Sequence, residues 1–196
     1  MDTIKLMMIW GSSRPGRRGG QVADWVKKKT EADGRFEVDF IDLRELNLPF
    51  FDEPAENGVF VYASPDEYKN PAGKAWAERV AKAEAFIIVT PEYNHGVPGV
   101  LKNALDWVGK PWIDKPVGFI SYGGIAGGAR AVEGLRTVTI ELGLVQVATP
   151  LHFPYFERAF DENGQPTRLD YYEANLKKML DEIIRLKQAF ATPSSA

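Results

Sequence analysis

Short apolar runs recur along the chain, separated by longer segments in which apolar residues return every three or four positions. The runs predict β-strands at 4–10, 36–41, 85–90, 116–121 and 143–147. Those at 85–90 and 116–121 are apolar almost throughout, which is typical of parallel strands buried on both faces. The pattern therefore favours a sheet whose central strands lie inside the molecule.

Helical periodicity fills the segments between these runs. It predicts helices at 18–32, 71–83, 98–108, 126–142 and 171–190. Alternation of strand and helix is the pattern of α/β folds in which a parallel sheet is covered on both faces. Five strands and five helices in this order predict a flavodoxin-like three-layer sandwich with the strand order 2-1-3-4-5.

Composition narrows the possible functions. The chain has 196 residues, of which 44% are hydrophobic, and this length suits one domain at 1–190 with a frayed tail at 191–196. It has no cysteine, which excludes disulfides, thiolate metal sites and cysteine nucleophiles. A net charge of −3 gives no overall attraction to nucleic acid or anionic lipid, and no apolar run is long enough to span a bilayer. We therefore expect a cytoplasmic protein without nucleic-acid, membrane or metal partners.

The first strand runs directly into a loop at 11–20 that is rich in glycine, serine and arginine. Glycine amides, the hydroxyls of Ser12 and Ser13 and the guanidinium of Arg14 all donate hydrogen bonds that suit a phosphate, and a helix N-terminus follows. The loop lacks both the Gly-Lys-Ser/Thr ending of a triphosphate loop and the dinucleotide glycine spacing. A terminal monophosphate is favoured; the alternative is a solvated basic loop.

Two further loops leave neighbouring strands of the predicted sheet. The loop at 91–98 lies between two prolines, and the loop at 121–128 is rich in glycine. Because the order 2-1-3-4-5 makes strands one, three and four neighbours, these loops and the loop at 11–20 converge on one crevice. Backbone groups there suit the edge of a planar heteroaromatic ring, and Tyr93 or Tyr122 is a candidate to cover one of its faces.

Taken together, the three loops resemble those of the NADPH-dependent FMN reductase family, which includes related quinone, azo-dye and chromate reductases. The matching motifs span most of the chain from 4 to 147, and the ordered set is far more specific than any one loop. They are Gly11-Ser12-Ser13-Arg14, Pro91-Glu92-Tyr93-Asn94 with the following Gly96-x-Pro98-Gly99-x-Leu101-Lys102-Asn103-Ala104-x-Asp106-Trp107, and Ser121-Tyr122-Gly123-Gly124.

The resemblance implies a non-covalently bound FMN, with its phosphate on the first loop and its ring between the second and third. The implied cofactor-binding residues are Gly11, Ser12, Ser13, Arg14, Arg18, Gly19, Gly20, Pro91, Glu92, Tyr93, Asn94, His95, Ser121, Tyr122, Gly123 and Gly124. No side chain is assigned a catalytic role, since the flavin carries the chemistry.

The expected reaction is hydride transfer from NADPH or NADH to FMN, followed by transfer of two electrons to a small acceptor such as a quinone, azo compound, metal oxyanion or free flavin. Two alternatives stay open: a flavodoxin-type electron carrier, and a non-redox module that binds a phosphate-bearing ligand. A carrier tends to have a markedly acidic docking surface, which a net charge of −3 hardly suggests.

Apolar and aromatic residues outside the predicted core suggest self-association. The long connection at 42–70 either packs its phenylalanines onto its own domain or forms a partner or ligand-covering surface. We expect a homodimer or a dimer of dimers, as the resemblance also implies. The residues on which this expectation rests are Leu48, Phe50, Phe51, Phe60, Val61, Tyr62, Trp107, Trp112 and Ile113.

Several conspicuous side chains are interpreted as structural rather than catalytic. They are Trp10, Trp25, Asn103, Asp106, Trp107 and His152. His95 falls in a tight turn with no partner visible in the sequence, so no proton-donating role is assigned to it. Asn163-Gly164 predicts the turn of a short hairpin within 150–168.

Overall fold

The computed structural model describes residues 3–17, 19–53 and 68–191. In these residues, parallel strands form one sheet with neighbours in the order β2-β1-β3-β4-β5, and a further strand pairs with β4. The predicted flavodoxin-like order is confirmed. The strands are β1 (Ile4–Trp10), β2 (Phe36–Asp42), β3 (Ala85–Pro91), β4 (Pro116–Tyr122), β5 (Val145–Gln146) and β6 (Leu151–Phe153).

Helices connect the strands and cover both faces of the sheet. They are α1 (Gly20–Ala32), α2 (Leu43–Leu46), α3 (Pro71–Lys82), α4 (Gly99–Asp106), α5 (Ala129–Glu141) and α6 (Leu169–Ala191), with short 3-10 turns at Lys110–Trp112 and Phe156–Arg158. The side chains of α1 and α6 pack on one face, and those of α3, α4 and α5 pack on the other. This is the predicted three-layer sandwich.

Alternation along the strands explains the two layers. In β1, Leu6 and Met8 point into the α1 and α6 layer, whereas Met7 and Ile9 point into the opposite layer. All four side chains have no exposed surface. Because both faces of β1 are buried from Leu6 onward, its sequence is apolar there, and β3 and β4 are likewise apolar except near their carboxyl ends.

The five-strand prediction missed β6. Strand β5 pairs with the start of β4, at Pro116 and Val117, and β6 pairs with its end, at Ile120 to Tyr122. Two short strands thus share one edge of β4, and neither is long enough to show the period of a strand. The second of them brings the residues after Phe153 to the same end of the sheet as the three loops.

The connection after β2 begins with α2, a helix that the sequence pattern did not predict. Asp42 accepts a hydrogen bond from the Arg44 amide at 2.9 Å and so caps this helix. Farther on, Asn103 Nδ2 and Trp107 Nε1 both donate to the Pro49 carbonyl, at 2.8 and 2.9 Å. These contacts agree with the interpretation that Asn103 and Trp107 are structural, and they hold the start of the connection against α4.

The structure buries some of the residues that were predicted to form a self-association surface and leaves others exposed. Trp107 and Trp112 have no exposed surface, because they pack within the α3 and α4 layer; their assignment to a surface patch was wrong. Phe51 lies edge-on against Trp107, with ring centroids 5.2 Å apart. Phe50 is 85% exposed and Ile113 is 48% exposed, so both side chains are accessible to a second copy of the chain. Three of the residues named for this surface, Phe60, Val61 and Tyr62, lie outside the described residues.

The hairpin predicted within 150–168 is present in shortened form. Phe160 and Pro166 form one antiparallel bridge, and the Gly164 amide donates to the Asp161 carbonyl at 3.1 Å. Helix α6 then runs to Ala191, whereas 192–196 lie outside the description. The domain limits at 1–190 and the tail at 191–196 therefore stay a prediction.

Candidate functional site

A cleft of about 460 Å³ opens at the carboxyl ends of β1, β3 and β4. Its position is the one expected for ligands of open α/β sheets, and its volume falls in the range of small-molecule pockets. The loops after all three strands contribute to it, as predicted. The lining residues are Ser12, Arg14, Gly16, Arg17, Pro91, Glu92, Tyr93, Tyr122, Gly123, Gly124, Phe156 and Glu157.

Half of the residues predicted to bind the cofactor line this cleft. Others lie on the same loops but beside or behind the lining, and Arg18 lies outside the described residues. The predicted residues that the structure places off the lining are Gly11, Ser13, Gly19, Gly20, Asn94, His95 and Ser121. Their assignment to the cofactor stays a prediction.

Arg17 ties down the loop after β1. Its guanidinium donates to Asp42 at the end of β2, with Nη1 2.6 Å from Oδ1, and also to the Ser12 carbonyl. It stacks over the Trp10 ring at 3.8 Å from the centroid. The side chains of Arg17 and Asp42 are 12% and 10% exposed, so this ion pair is shielded from water. Arg17 is therefore held within the loop, whereas Arg14 is exposed.

Neutral hydroxyls meet under the same loop. Ser12 Oγ lies 2.9 Å from the Tyr93 hydroxyl, and Trp10 Nε1 donates to the Tyr122 hydroxyl at 2.9 Å. Burial raises the pKa of Tyr122 to about 12, although hydrogen bonds from Trp10 and Ser12 oppose the shift. The phenol of Tyr122 is accordingly a neutral hydrogen-bonding group at ordinary pH.

Tyr122 does not have the ring-covering position considered for it. Its side chain is 3% exposed and packs with the α1 and α6 layer, because it shares the face of β4 that carries Ile120. A β-carbon at Gly19 would lie 2.0 Å from the phenol ring, so the loop backbone rests directly on that ring. Tyr93, which is half-buried at the cleft, remains the candidate to cover a ligand ring.

The loop after β3 is shaped by a tight turn. Tyr93 and Gly96 exchange backbone hydrogen bonds of 3.1 and 2.9 Å, and Asn94 and His95 between them have φ values of +49° and +64°. These are the features of a type I′ turn. Asparagine tolerates this conformation, but histidine stands where glycine is preferred. The His95 side chain is exposed at the tip of the turn.

Glu92 links the loop after β3 to the first turn of α5, the helix that follows the glycine-rich loop. Its carboxylate accepts hydrogen bonds from the Arg130 amide at 3.1 Å and from Arg130 Nε at 2.6 Å. Helix α5 begins after Gly128, which has no side chain to cap it. Glu92 supplies that acceptor from another loop, and as an anion it is stabilised by the helix dipole. Its side chain is 7% exposed although it lines the cleft.

Ser121 and His152 fix the glycine-rich loop from behind. Ser121 Oγ donates to the Gly127 carbonyl at 2.7 Å and lies 2.7 Å from His152 Nδ1. Since the serine proton is used, His152 Nδ1 carries the proton of the second bond. Burial lowers the pKa of His152, with Glu133 opposing the shift. The structural interpretation of His152 agrees with this geometry.

Outside the three predicted loops, sequence reasoning missed four contributors to the site. Asp42 and Arg130 brace loops of the cleft, and Phe156 and Glu157 line it. Phe156 packs against Tyr122, with ring centroids 5.4 Å apart. A prediction of β6 beside β4 would have placed the residues that follow it at this edge of the sheet.

The sequence matches the NADPH-dependent FMN reductase family over residues 4–157. The chain belongs to this family. It is 38% identical over 126 residues to an NAD(P)H-dependent FMN reductase of Schizosaccharomyces pombe, an alignment that covers 64% of this chain and 61% of that protein. The chain thus spans about three fifths of that relative's length. It is also 30% identical over 198 residues to an NAD(P)H:quinone oxidoreductase of Solanum tuberosum, which covers 96% of this chain and 93% of the relative. The resemblance inferred from the three loops is confirmed.

Solved structures show the same fold. FerB, a flavoenzyme NAD(P)H:(acceptor) oxidoreductase from Paracoccus denitrificans, superposes with a TM-score of 0.70 at 20% identity and covers 96% of this chain and 99% of its own. A flavodoxin from Pseudomonas aeruginosa superposes with a TM-score of 0.51 at 24% identity, covering 89% and 99%. At these identities the likeness concerns the fold, which is flavodoxin-like as predicted.

Within the described ranges, 3–17, 19–53 and 68–191, none of the helices is long and apolar enough to cross a membrane. The same residues contain no group of three histidine, aspartate or glutamate side chains placed to hold a metal ion. The cytoplasmic location stays a prediction.

Proposed function

We propose that this protein binds FMN in the cleft, reduces it with NADPH or NADH, and passes two electrons to a small acceptor of the quinone type. The observation that carries the proposal is the meeting of three family motifs at one cleft. The names of its relatives support the acceptor class, since they include an NAD(P)H:quinone oxidoreductase and a 2-hydroxy-1,4-benzoquinone reductase from Burkholderia.

The residues present fit a flavin mononucleotide. At one end, the Ser12 hydroxyl and the exposed Arg14 offer donors for a phosphate, and the loop that carries them is fixed by the Arg17 pair. At the other end, Gly123 and Gly124 present backbone without side chains. A β-carbon at Gly124 would meet no atom within 4 Å, so the approach to that backbone is open. Phosphate donors and a flat backbone surface thus share one cleft.

The two ends of the cleft would bind different parts of FMN. Arg14 would pair with the phosphate, and a guanidinium is suited to do so through two parallel hydrogen bonds. Tyr93 would cover the ring, with Arg14 placed 5.8 Å from the centroid of the phenol. When bound, FMN supplies the hydride-accepting and electron-donating chemistry. The backbone around Glu92 and the N-terminus of α4 would stabilise negative charge near the ring.

The first experiment is a visible spectrum of the purified protein, before and after incubation with FMN. We expect a yellow protein that releases one FMN per chain on denaturation. A colourless protein without saturable FMN binding would contradict the proposal and would favour a module for another phosphate-bearing ligand.

Steady-state kinetics separate a reductase from an electron carrier. Both substrates would use the same open side of the cleft in turn, so initial rates with NADPH and a soluble quinone should give parallel double-reciprocal lines. Replacing NADPH by NADH in the same assay measures the nicotinamide preference. If NAD(P)H oxidation requires a separate reductase protein, the carrier interpretation is correct.

We also propose that the chain forms a homodimer or a dimer of dimers. The support is the exposure of Phe50, Ile113 and Ile125, which are 85%, 48% and 75% exposed. Ile125 belongs to the glycine-rich loop beside the cleft, so a partner there would help to enclose the site. Sedimentation at micromolar concentration should give at least twice the chain mass of 21.9 kDa. A monomer that turns over NADPH would contradict this proposal.

A further inference from the structure

The glycine-rich loop after β4 contains a tight turn of four residues, 124–127. The Gly127 amide donates to the Gly124 carbonyl at 3.0 Å and closes the turn. Neither of its two central residues, Ile125 and Ala126, has a positive φ, as in a type I turn. Gly124 lines the cleft, whereas the Ile125 side chain is 75% exposed. The turn is therefore held by its backbone at the edge of the cleft.

The carbonyl at the start of this turn is fully used by the protein. Besides the Gly127 amide, the Tyr155 amide donates to the Gly124 oxygen, also at 3.0 Å. A carbonyl oxygen has two lone pairs, so these two donors leave none for a ligand. Tyr155 follows β6 and does not belong to the lining of the cleft. The Gly124 carbonyl thus points away from the cleft.

The amide of the same peptide unit points the other way. The C=O and N–H bonds of a trans peptide lie in one plane and have opposite directions, and the described peptides contain no cis bond. The Ile125 N–H is therefore directed away from Tyr155, on the side where Gly124 lines the cleft. No group in the part of the chain that the structure describes accepts a hydrogen bond from it. A β-carbon at Gly124 would meet no atom within 4 Å, so the space beside this amide is open.

We propose that the Ile125 backbone amide donates a hydrogen bond to the flavin ring and binds two-electron-reduced FMN more tightly than oxidised FMN. The inference rests on the FMN binding proposed above. Because its carbonyl is saturated and its amide is open, the Gly124–Ile125 peptide offers a donor and no acceptor, which suits a carbonyl oxygen at the edge of the ring. Reduction increases the negative charge on such an oxygen. A hydrogen bond to a charged acceptor is about twice as strong as one to a neutral acceptor.

Ile125→Pro tests the amide by itself. Proline has no N–H, and it is favoured at the second position of a type I turn, so the turn should keep its shape. The side chain that it replaces is exposed. Ile125→Ala is the matched control, because it removes most of the side chain and keeps the N–H. Any role of the side chain, including a contact with a second copy of the chain, would appear in both variants.

The affinities of the full-length variants are measured by flavin fluorescence. In Ile125→Pro, the Kd values of oxidised FMN and riboflavin should both rise at least about threefold, because the lost donor faces the ring and not the phosphate. The Kd of reduced FMN should rise about tenfold more than that of oxidised FMN. For a two-electron couple, this lowers the midpoint potential of the bound flavin by about 30 mV, measured against a reference dye. Ile125→Ala should keep the wild-type affinities and potential.

The potential separates the lost hydrogen bond from the bulk of the proline ring. A steric effect would weaken the binding of both redox states alike and leave the potential unchanged. An unchanged potential in a folded Ile125→Pro variant would therefore overturn the inference, as would an equal shift in Ile125→Ala.

Amide hydrogen exchange of the wild-type protein provides a measurement that needs no variant. The Ile125 amide should exchange as an exposed amide without FMN, and on the order of tenfold more slowly with FMN bound. If its exchange is equally fast with FMN bound, the amide is bonded to water and the inference is wrong, although the proposed function stands. A wild-type protein that binds neither flavin would contradict the proposed function itself.

Discussion

The two ends of the cleft are held in different ways. At the β1 end, side chains hold the loop in place. Arg17 pairs with Asp42 at the end of β2, and hydroxyl groups beneath the loop hydrogen-bond to each other. At the β3 and β4 end, backbone dominates, with a tight turn after Tyr93 and a glycine-rich loop. An ion pair between Glu92 and Arg130 joins the loop after β3 to the first turn of α5 there.

This difference matches the two parts of the proposed ligand. A phosphate is a compact charge, which directed donors such as guanidinium and hydroxyl groups recognise. A flat ring has a long polar edge and two apolar faces, which backbone groups and an aromatic side chain suit better. Changes at the β1 end should therefore affect FMN more than riboflavin, whereas changes at the ring end should affect both alike.

The largest effect is expected from Asp42→Asn. It leaves the guanidinium of Arg17, at 12% exposure, without its charged partner, while asparagine can still cap α2. Breaking a shielded pair in this way should cost about 3 kcal/mol in the free energy of unfolding, measured by urea denaturation. Asp39→Asn is the control on the same strand, since its pair with Arg79 is more than 40% exposed on both sides. That variant should lose less than about 1 kcal/mol. Equal losses would mean that the Arg17 pair does not anchor the loop.

Arg14→Ala should weaken FMN binding by roughly 1.5–3 kcal/mol, the scale of a hydrogen bond to a charged group. Arg14 is exposed at the cleft, so its loss should leave the fold intact and riboflavin affinity nearly unchanged. Arg18→Ala should cost less, because nothing in the spacing of Arg18 demands a phosphate contact. Fluorescence titration of both variants tests the ranking. Equal losses would show that the phosphate does not bind mainly to Arg14.

Glu92→Gln tests the ring end. The amide oxygen can still accept a hydrogen bond from the Arg130 backbone, but the ion pair is lost. Because Arg130 is 46% exposed and water screens the pair, FMN and riboflavin affinity should each fall by only about 0.5–1 kcal/mol. Glu133→Gln removes a carboxylate that is 75% exposed and serves as the control. A loss confined to FMN would place the phosphate near Glu92 and reverse the assignment of the two ends.

The smallest effect is expected from His95→Gly, and it is stabilising. His95 has a φ of +64°, a conformation that glycine adopts without steric cost, so the variant should gain about 0.5–1 kcal/mol in unfolding free energy. His95→Ala keeps the β-carbon and should show no gain. If both variants behave alike in thermal denaturation, backbone strain at this turn is absent.

Much of the fold could be predicted because its signals are local. The apolar runs of β1, β3 and β4 and the periodicity of the helices appear within short windows of sequence. The strand order and the meeting of the three loops follow from that alternation. Strand β6 and helix α2 were missed, since three or four residues are too few to show a period.

The contacts that complete the site could not be predicted in this way. Trp10 and Tyr122 are 112 positions apart, and Glu92 and Arg130 are 38 apart. Such pairs depend on how strands and helices are placed in three dimensions, which no local pattern records. Alternation along β4 did hold a usable signal for Tyr122: it lies two residues after Ile120 and so faces the same buried layer.

The central claim is tested most directly by adding NADPH, without oxygen, to the purified protein loaded with one equivalent of FMN, and following the visible absorbance. We predict that the absorbance of the oxidised flavin disappears with no other protein present, and that it returns when a soluble quinone is added. An absorbance that neither NADPH nor NADH changes would contradict the account, because the cleft would then hold a flavin that this protein does not reduce.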